Sequence, residues 1–339
     1  MTATDIHLNF TAPDVTATSE PMVWMFTGQG AQYYQMARGL YEHEPVFRES
    51  MQAMDDMVAD YVGQSVVQTL YDSSHRKSDP FEQIVLTNPA LFMVQYSMAQ
   101  LLIAKGVSPP SEVVGSSLGE FVAAAVAGCQ PLEDMLFDLV KKARLFEQHC
   151  RGGGMVMVLD DPDKYDLRQD AFVGCEFSGF SFDTCFTLSG SRLAIERAAR
   201  HLKQLDISHQ VLPIQIGFHS AEIEPVRQFV MQLFAARTFA RPLVTFNGCA
   251  GTDPNPVLSG DYWWQVIRGP ICFAQSIKAI HERLPDARFV DLGPAGNLAT
   301  FTRYNLPASC HHRIVATLSP YGEDLETLKN AVDRLSLFA

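Results

Sequence analysis

The chain has no C-x-x-C pair among its seven cysteines, and seven is an odd number. That excludes a disulfide framework and argues for free thiols in a reducing compartment. No cluster of histidines and cysteines has zinc spacing, so no metal is expected. Basic residues are in deficit: Lys+Arg 26 against Asp+Glu 38 gives a net charge of −12, which argues against a nucleic-acid partner. No apolar run approaches the length needed to cross a bilayer. The first twenty residues are rich in Thr, Ala and Asp, without a basic start or an apolar core, and do not form a signal peptide. Together these absences describe a soluble cytoplasmic protein that needs no membrane and no cofactor.

What remains is ordinary globular material. With 339 residues, 47% hydrophobic and 19% charged, the chain can build a large core, one main domain and an insertion. Its organising stretch is Glu112-Val113-Val114-Gly115-Ser116-Ser117-Leu118-Gly119-Glu120. A β-branched strand runs into two small residues and then an alanine-rich helix stopped at Gly128. Ser117 is the centre of a G-x-S-x-G pentapeptide on that turn. A strand-to-helix turn of this kind lifts a serine hydroxyl to the top of a sheet, in a strained backbone that needs small neighbours. The Leu118 amide and the helix N-terminus then face any oxyanion formed there. Gly and Ser are also common in purely structural turns; the strand-turn-helix context favours the nucleophile.

Residues 1–20 read as a flexible leader. The first strand is Met22 to Phe26, followed by Thr27-Gly28-Gln29-Gly30, where two glycines permit close backbone approach. Ala90 to Lys105 is apolar almost all round and should lie buried beside the nucleophile strand. A helix from Leu132 to about His149 carries Lys141, Lys142 and Arg144, a run that usually makes a solvated face. Arg151-Gly152-Gly153-Gly154 marks a composition break and a hinge. Beyond it the pattern changes: a strand at Met155–Leu159, a helix at Pro162–Gln169, strands near Phe172–Phe177 and Thr184–Leu188, a helix at Ser191–Leu205 and a strand at His209–Ile216. That is the β-α-β-β-α-β order of a ferredoxin-like unit. Residues 152–212 are therefore expected to form a small domain inserted in a larger one made of 21–151 and 213–339. His219 ends an apolar segment just before a helix that Ser220 can cap. It follows Ser117 by 102 residues (219 − 117) and is placed to act as its base.

The motifs G-Q-G-A-Q, N-P-A-L-F, G-x-S-L-G-E, G-F-H-S, Y-W-x-x-x-I-R-x-P and D-L-G-P occur in the order and spacing of one family. Over about residues 22–320 the chain resembles malonyl-CoA:acyl-carrier-protein transacylases, the acyltransferase domains of fatty-acid and polyketide synthases. The resemblance implies an α/β class fold, with an α/β-hydrolase-like large domain and a ferredoxin-like insert. It implies a Ser117–His219 pair, with the histidine held by a main-chain carbonyl that maps to Gln265 or Val266. Backbone amides of Gln29 and Leu118 would form the oxyanion hole.

Three departures matter. The usual G-H-S-x-G has Ser116 in place of histidine, the usual glutamine before Pro-Ala-Leu-Phe is Asn88, and the arginine that grips a malonyl carboxylate is Lys142. With G-S-S-L-G-E-F, the Asp79-Pro80-Phe81 run, the lost arginine and D-L-G-P-x-G-x-L-A, the chain most resembles the free-standing acyl hydrolases of trans-acyltransferase polyketide synthases, which remove stalled acyl groups from carrier proteins. The implied partner is an acyl carrier protein bearing an acyl-phosphopantetheine thioester, and the alternative activity is malonyl or acyl transfer in trans. Lys142 could serve as a point charge or swing out to solvent, leaving a chamber lined by Phe218, with Gly217 giving room for longer chains. Arg268, Arg303 and Arg192 are the candidate contacts for an acidic carrier.

Overall fold

A computed structural model of the chain describes Leu8 and residues 20–336. Nearly all of the expected leader lies outside the described residues. Among the described residues the strands run β1 (Met22–Phe26), β2 (Glu112–Gly115), β3 (Gly153–Val158), β4 (Cys175–Phe182), β5 (Cys185–Ser191), β6 (His209–Val211), β7 (Thr245–Asn247), β8 (Arg288–Asp291) and β9 (Ile314–Ala316). They form two sheets.

The larger sheet has the order β7-β2-β1-β8-β9, and every pairing in it is parallel. Its central strand explains why. β1 reads Met-Val-Trp-Met-Phe with no polar alternation and is buried throughout, as a parallel strand covered on both faces must be. Successive side chains supply opposite layers. Met22, Trp24 and Phe26 join a core with Phe92, Phe121 and Leu136 from the helices Ile84–Ala104, Leu118–Val126 and Leu132–His149. Val23 and Met25 join another with Phe273, Ile277 and Leu298 from the helices Phe273–Arg283 and Asn297–Asn305. The carboxyl ends of β1, β2 and β8 thus open together on one rim, where ligands of open parallel sheets bind.

The smaller sheet is antiparallel with order β4-β5-β3-β6. Helix Arg192–Gln204, capped by the Ser191 side chain, packs Ala194, Ile195, Ala198 and Leu202 against Val156, Val158, Phe186 and Leu188. The chain therefore has an α/β-hydrolase-like large sheet and a ferredoxin-like small one. Two expected elements are shorter than their patterns. The helix expected at Pro162–Gln169 is a single 3-10 turn, Pro162–Lys164. Here aspartates compete with helical bonding: Asp161 accepts from the amide of Asp163, and Asp166 from that of Arg168. The strand expected at His209–Ile216 ends at Val211, two residues before Pro213, which has no amide to donate.

The chain enters and leaves the small sheet at one crossing. A Cβ on Gly153 would lie 2.0 Å from the Gly217 nitrogen, and one on Gly217 would lie 2.8 Å from the Gly190 carbonyl oxygen. The amides of Gly152 and Gly153 both point to the Gln215 carbonyl, at 3.2 Å each. These glycines, expected to supply a hinge and chamber space, instead let backbones touch. Gly217 is absent from the cavity wall, and its missing side chain makes no room for acyl chains. The two sheets are also stitched by Phe180 N–H to the Ile271 carbonyl at 2.8 Å and Ile271 N–H to the Ser178 carbonyl at 3.0 Å.

Candidate active site

Ser117 stands between β2 and the helix that begins at Leu118, with φ 54° and ψ −115°. That is a strained backbone for a residue with a side chain, and such strain at a strand-to-helix turn is the mark of an elevated nucleophile. The flanking glycines are there for contact. A Cβ on Gly115 would lie 2.3 Å from the Glu120 backbone, and one on Gly119 would lie 1.9 Å from the Phe26 carbonyl oxygen. The loop after β1 approaches from the other side, where a Cβ on Gly28 would be 2.6 Å from the Ser116 oxygen and 3.4 Å from the Leu118 nitrogen. Gly28 thereby brings Gln29 to the wall of the same cavity as Ser117 and Leu118. As the first helical residue, Leu118 has an amide that no helix carbonyl can satisfy.

His219 reaches the serine. Its Nε2 is 2.8 Å from Ser117 Oγ, and its Nδ1 is 2.7 Å from the Gly269 carbonyl oxygen. A carbonyl can only accept, so Nδ1 carries the proton and Nε2 is left as the acceptor for the serine hydroxyl. The expected holders, Gln265 and Val266, are corrected here. Both lie inside helix Gly260–Arg268, where the Gln265 carbonyl accepts from the Gly269 amide at 2.8 Å. Gly269 precedes Pro270, which forces it extended, with φ −73° and ψ 162°, and turns its carbonyl out of the helix. The Gly-Pro dipeptide was the signal in the sequence that could have found it.

Burial holds the His219 imidazole down to about 4, helped by the charges of Lys142 and Arg268 and opposed by the Gly269 bond. The sign is simple: a histidine that is neutral above about 4 is already a base at neutral pH. Serine acylation by an activated acyl ester should be level from about pH 5.5 to 8 and fall only on further acidification, the midpoint tracking the folded-state value. A stopped-flow pH profile checks this, and a limb centred near the ordinary 6.5 would show that the ring is not desolvated.

The cavity holds about 450 Å³ between the two sheets. From the large domain it is lined by Asn88, Phe121, Lys142, Phe146 and Phe218, and from the small sheet by Met155, Met157, Thr187 and Gln210. Ser116 and Asn297 line it too. Lys142 does not swing out to solvent. It is 4% exposed, its Nζ lies 3.7 Å from the centre of the Phe121 ring, and burial pushes it down to about 7. Its neighbours Lys141 and Arg144 are the solvated ones.

Glu120, the acid that ends the organising stretch, faces away from the cavity. It accepts from the Cys249 amide at 2.9 Å and from the Tyr262 hydroxyl at 2.6 Å, and burial raises it to about 7. It ties the serine helix to the helix whose end supplies the Gly269 carbonyl. Arg268 is not free for an acidic partner: it pairs with Glu176 and Glu224 at 2.9 Å each. Arg303 donates to the Ile314 carbonyl, whereas Arg192 is exposed. Among the described residues no group of three or more His, Cys, Asp or Glu is placed to hold a metal ion, and no helix is long and apolar enough to cross a membrane.

Residues 23–337 match the family described as the acyl transferase domain. The chain belongs to that family. It is 34% identical over 319 residues to the polyketide biosynthesis acyltransferase homolog BaeD of Bacillus velezensis, covering 94% of this chain and 97% of that protein. With the homolog PksD of Bacillus subtilis it shares 34% identity, covering 91% and 95%. Among solved structures, the acyltransferase domain from the second module of the salinomycin polyketide synthase superposes with a TM-score of 0.80 at 26% identity, over 93% of this chain and 72% of that one. An acyltransferase-family enzyme is thus consistent in sequence, fold and site geometry.

Proposed function

We propose that this acyltransferase-family protein hydrolyses acyl thioesters presented by acyl carrier proteins, and so clears stalled acyl units in polyketide biosynthesis. Two kinds of support meet here. The relatives BaeD and PksD are named for polyketide biosynthesis and match over nearly their full lengths. The observation that carries the hydrolytic reading is Lys142, standing where the family's arginine is expected, buried, and set on the face of the Phe121 ring.

The reaction follows from the side chains. Ser117 Oγ attacks the thioester carbonyl while His219 Nε2 takes the hydroxyl proton. The Leu118 and Gln29 amides stabilise the oxyanion, each worth roughly 10²–10³ in rate in such sites. Collapse expels the carrier thiolate, which takes the proton back from His219. Water then attacks the Ser117 ester, again deprotonated by His219, and releases the free acid. A chamber of phenylalanines whose lysine is pushed by burial down to about 7 grips an anionic extender unit less firmly than an arginine fork, which leaves the ester available to water. The competing reading is transfer to a second carrier thiol, which a protonated Lys142 would favour by holding a malonyl carboxylate.

The test is partition. Butyryl-loaded carrier protein is mixed with the enzyme and a fresh unloaded carrier, and free butyrate and newly loaded carrier are followed together. Butyrate is expected as the main product, with little carrier-to-carrier transfer. Quantitative loading of the second carrier with no free acid refutes hydrolysis.

A further inference from the structure

The helix Ile84–Ala104 is buried along most of its length, and apolar side chains make up most of it. Thr87 and Gln95 are among the polar exceptions, both fully buried and neither on the cavity wall. With Leu91 between them they stand at intervals of four, on one stripe of the helix. Both spend their polar groups on the loop that follows β1. Gln95 Oε1 accepts from the Thr27 amide at 2.6 Å, and its Nε2 donates to the Thr27 carbonyl at 3.1 Å and the Leu91 carbonyl at 3.0 Å. Thr87 Oγ1 accepts from Gln29 Nε2 at 2.8 Å. The arrangement has a reason in the sheet. The ladders of β1 end at Phe26 or before it, so Thr27 lies beyond them, and Gln95 supplies the donor and the acceptor that a neighbouring strand would. A side-chain carboxamide can offer both; a carboxylate can only accept.

We propose that Gln95 and Thr87 are positioning residues that fix the Thr27–Gly30 loop, and with it the Gln29 amide, for the oxyanion formed at Ser117. The inference rests on the acylation of Ser117 and deepens that reading. The loop carries Gly28 and Gly30, the latter at φ 108°, and glycine leaves a backbone freer than any other residue. Such a loop must be ordered before it can present a donor in one place. Its place is exacting. A Cβ on Gly28 would lie 3.2 Å from Ser117 Cβ, and a Cβ on Gly119 would meet the Thr27 carbonyl oxygen at 2.9 Å. The loop is thus held between the serine turn on one side and the buried helix on the other. Among the described residues neither the Gln29 nor the Leu118 amide donates a hydrogen bond, which leaves both without a protein partner. Donors set in place before the charge develops lower the barrier most, because nothing has to reorganise at the moment of reaction. Gln95 and Thr87 do not touch the substrate; they act through the loop.

The experiment separates binding from reaction. Stopped-flow acylation by p-nitrophenyl butyrate gives the rate constant and KM. A butyl trifluoromethyl ketone, which adds reversibly to the serine as an oxyanion mimic, reports on the loop directly. Gln95→Met removes donor and acceptor at similar volume. It should lower the acylation rate constant about tenfold or more, part of the roughly 10²–10³ that a whole donor supplies, with KM held within about twofold. Ketone affinity should fall by the same factor. Thr87→Val should lose about threefold or more, and Thr87→Ser, which keeps the hydroxyl, should restore the wild-type rate. A residue that served the fold alone would lower the melting temperature and leave ketone affinity where it was. A rate loss under about threefold in a natively melting Gln95→Met overturns the proposal, as does a rate loss with ketone affinity unchanged. If Gln95→Met does not fold, the Thr87 pair decides, and equal rates for valine and serine overturn it. Because acylation precedes the choice between water and thiol, failure of the hydrolytic reading appears separately, as acyl-serine that yields no free acid.

Discussion

Ser117→Ala is expected to lose thioester cleavage and covalent acylation altogether. In the proposed mechanism its Oγ forms the ester, and among the described residues it is the hydroxyl oxygen that lies 2.8 Å from His219 Nε2, on a strained turn. His219→Ala leaves the hydroxyl in place without its base, and acylation should fall by roughly 10²–10⁴, the range for a positioned general base. Neither change should unfold the protein. Ser117→Ala keeps a Cβ in the strained turn, and the glycines that allow that turn are untouched. A fluorophosphonate probe with peptide mapping checks both variants: label on Ser117 in the wild type, none in Ser117→Ala and slow label in His219→Ala. Label on Ser116, which also lines the cavity, would overturn the assignment.

The second large effect concerns Lys142→Arg. Arginine offers a planar fork that matches both oxygens of a carboxylate and keeps its charge when buried; lysine gives a single ammonium that burial here pushes down to about 7. The wild type is therefore expected to cleave acetyl, propionyl and butyryl thioesters better than malonyl. Lys142→Arg should raise the malonyl-to-butyryl ratio of kcat/KM by tenfold or more, about 1.4 kcal/mol in transition-state binding. The pH dependence has a definite sign. Lowering the pH through about 7 protonates Lys142 and should lift the malonyl ratio in the wild type, and leave it level in the arginine variant. A wild type that prefers malonyl by about tenfold would remove the hydrolytic reading in favour of transfer.

Much of this site was legible in the sequence because it is built from local rules. The strand Met22 to Phe26 and the turn around Ser117 follow from an apolar run and from glycines whose spacing has a steric reason. His219 could be singled out from ten histidines because it ends an apolar segment beside a helix cap. What could not be read depends on contacts distant in sequence. The three cations of Lys141, Lys142 and Arg144 look alike as text, and only the packing of Phe121 against that helix sends Lys142 inward. The carbonyl that holds His219 was placed a few residues early because an aligned motif does not show which carbonyls a helix has already used. Arg268 reads as an exposed cation until Glu176, ninety-two residues earlier (268 − 176), is brought against it. The helix at Pro162–Gln169 failed through local aspartate bonding, a competition that periodicity does not register.

The crossing of Gly153 and Gly217 bears on how the cavity keeps its shape. Both connections to the small sheet pass through one pinched point at backbone contact, and a few residues further on Glu176 holds the Ala221 amide at 2.7 Å as well as Arg268. A side chain at Gly153 or Gly217 would force apart the two strands of chain that carry the small sheet, and with them Met155 and Met157 on one wall of the cavity and Phe218 on the other. Gly153→Ala should therefore disturb the shape of the cavity without touching Ser117 or His219.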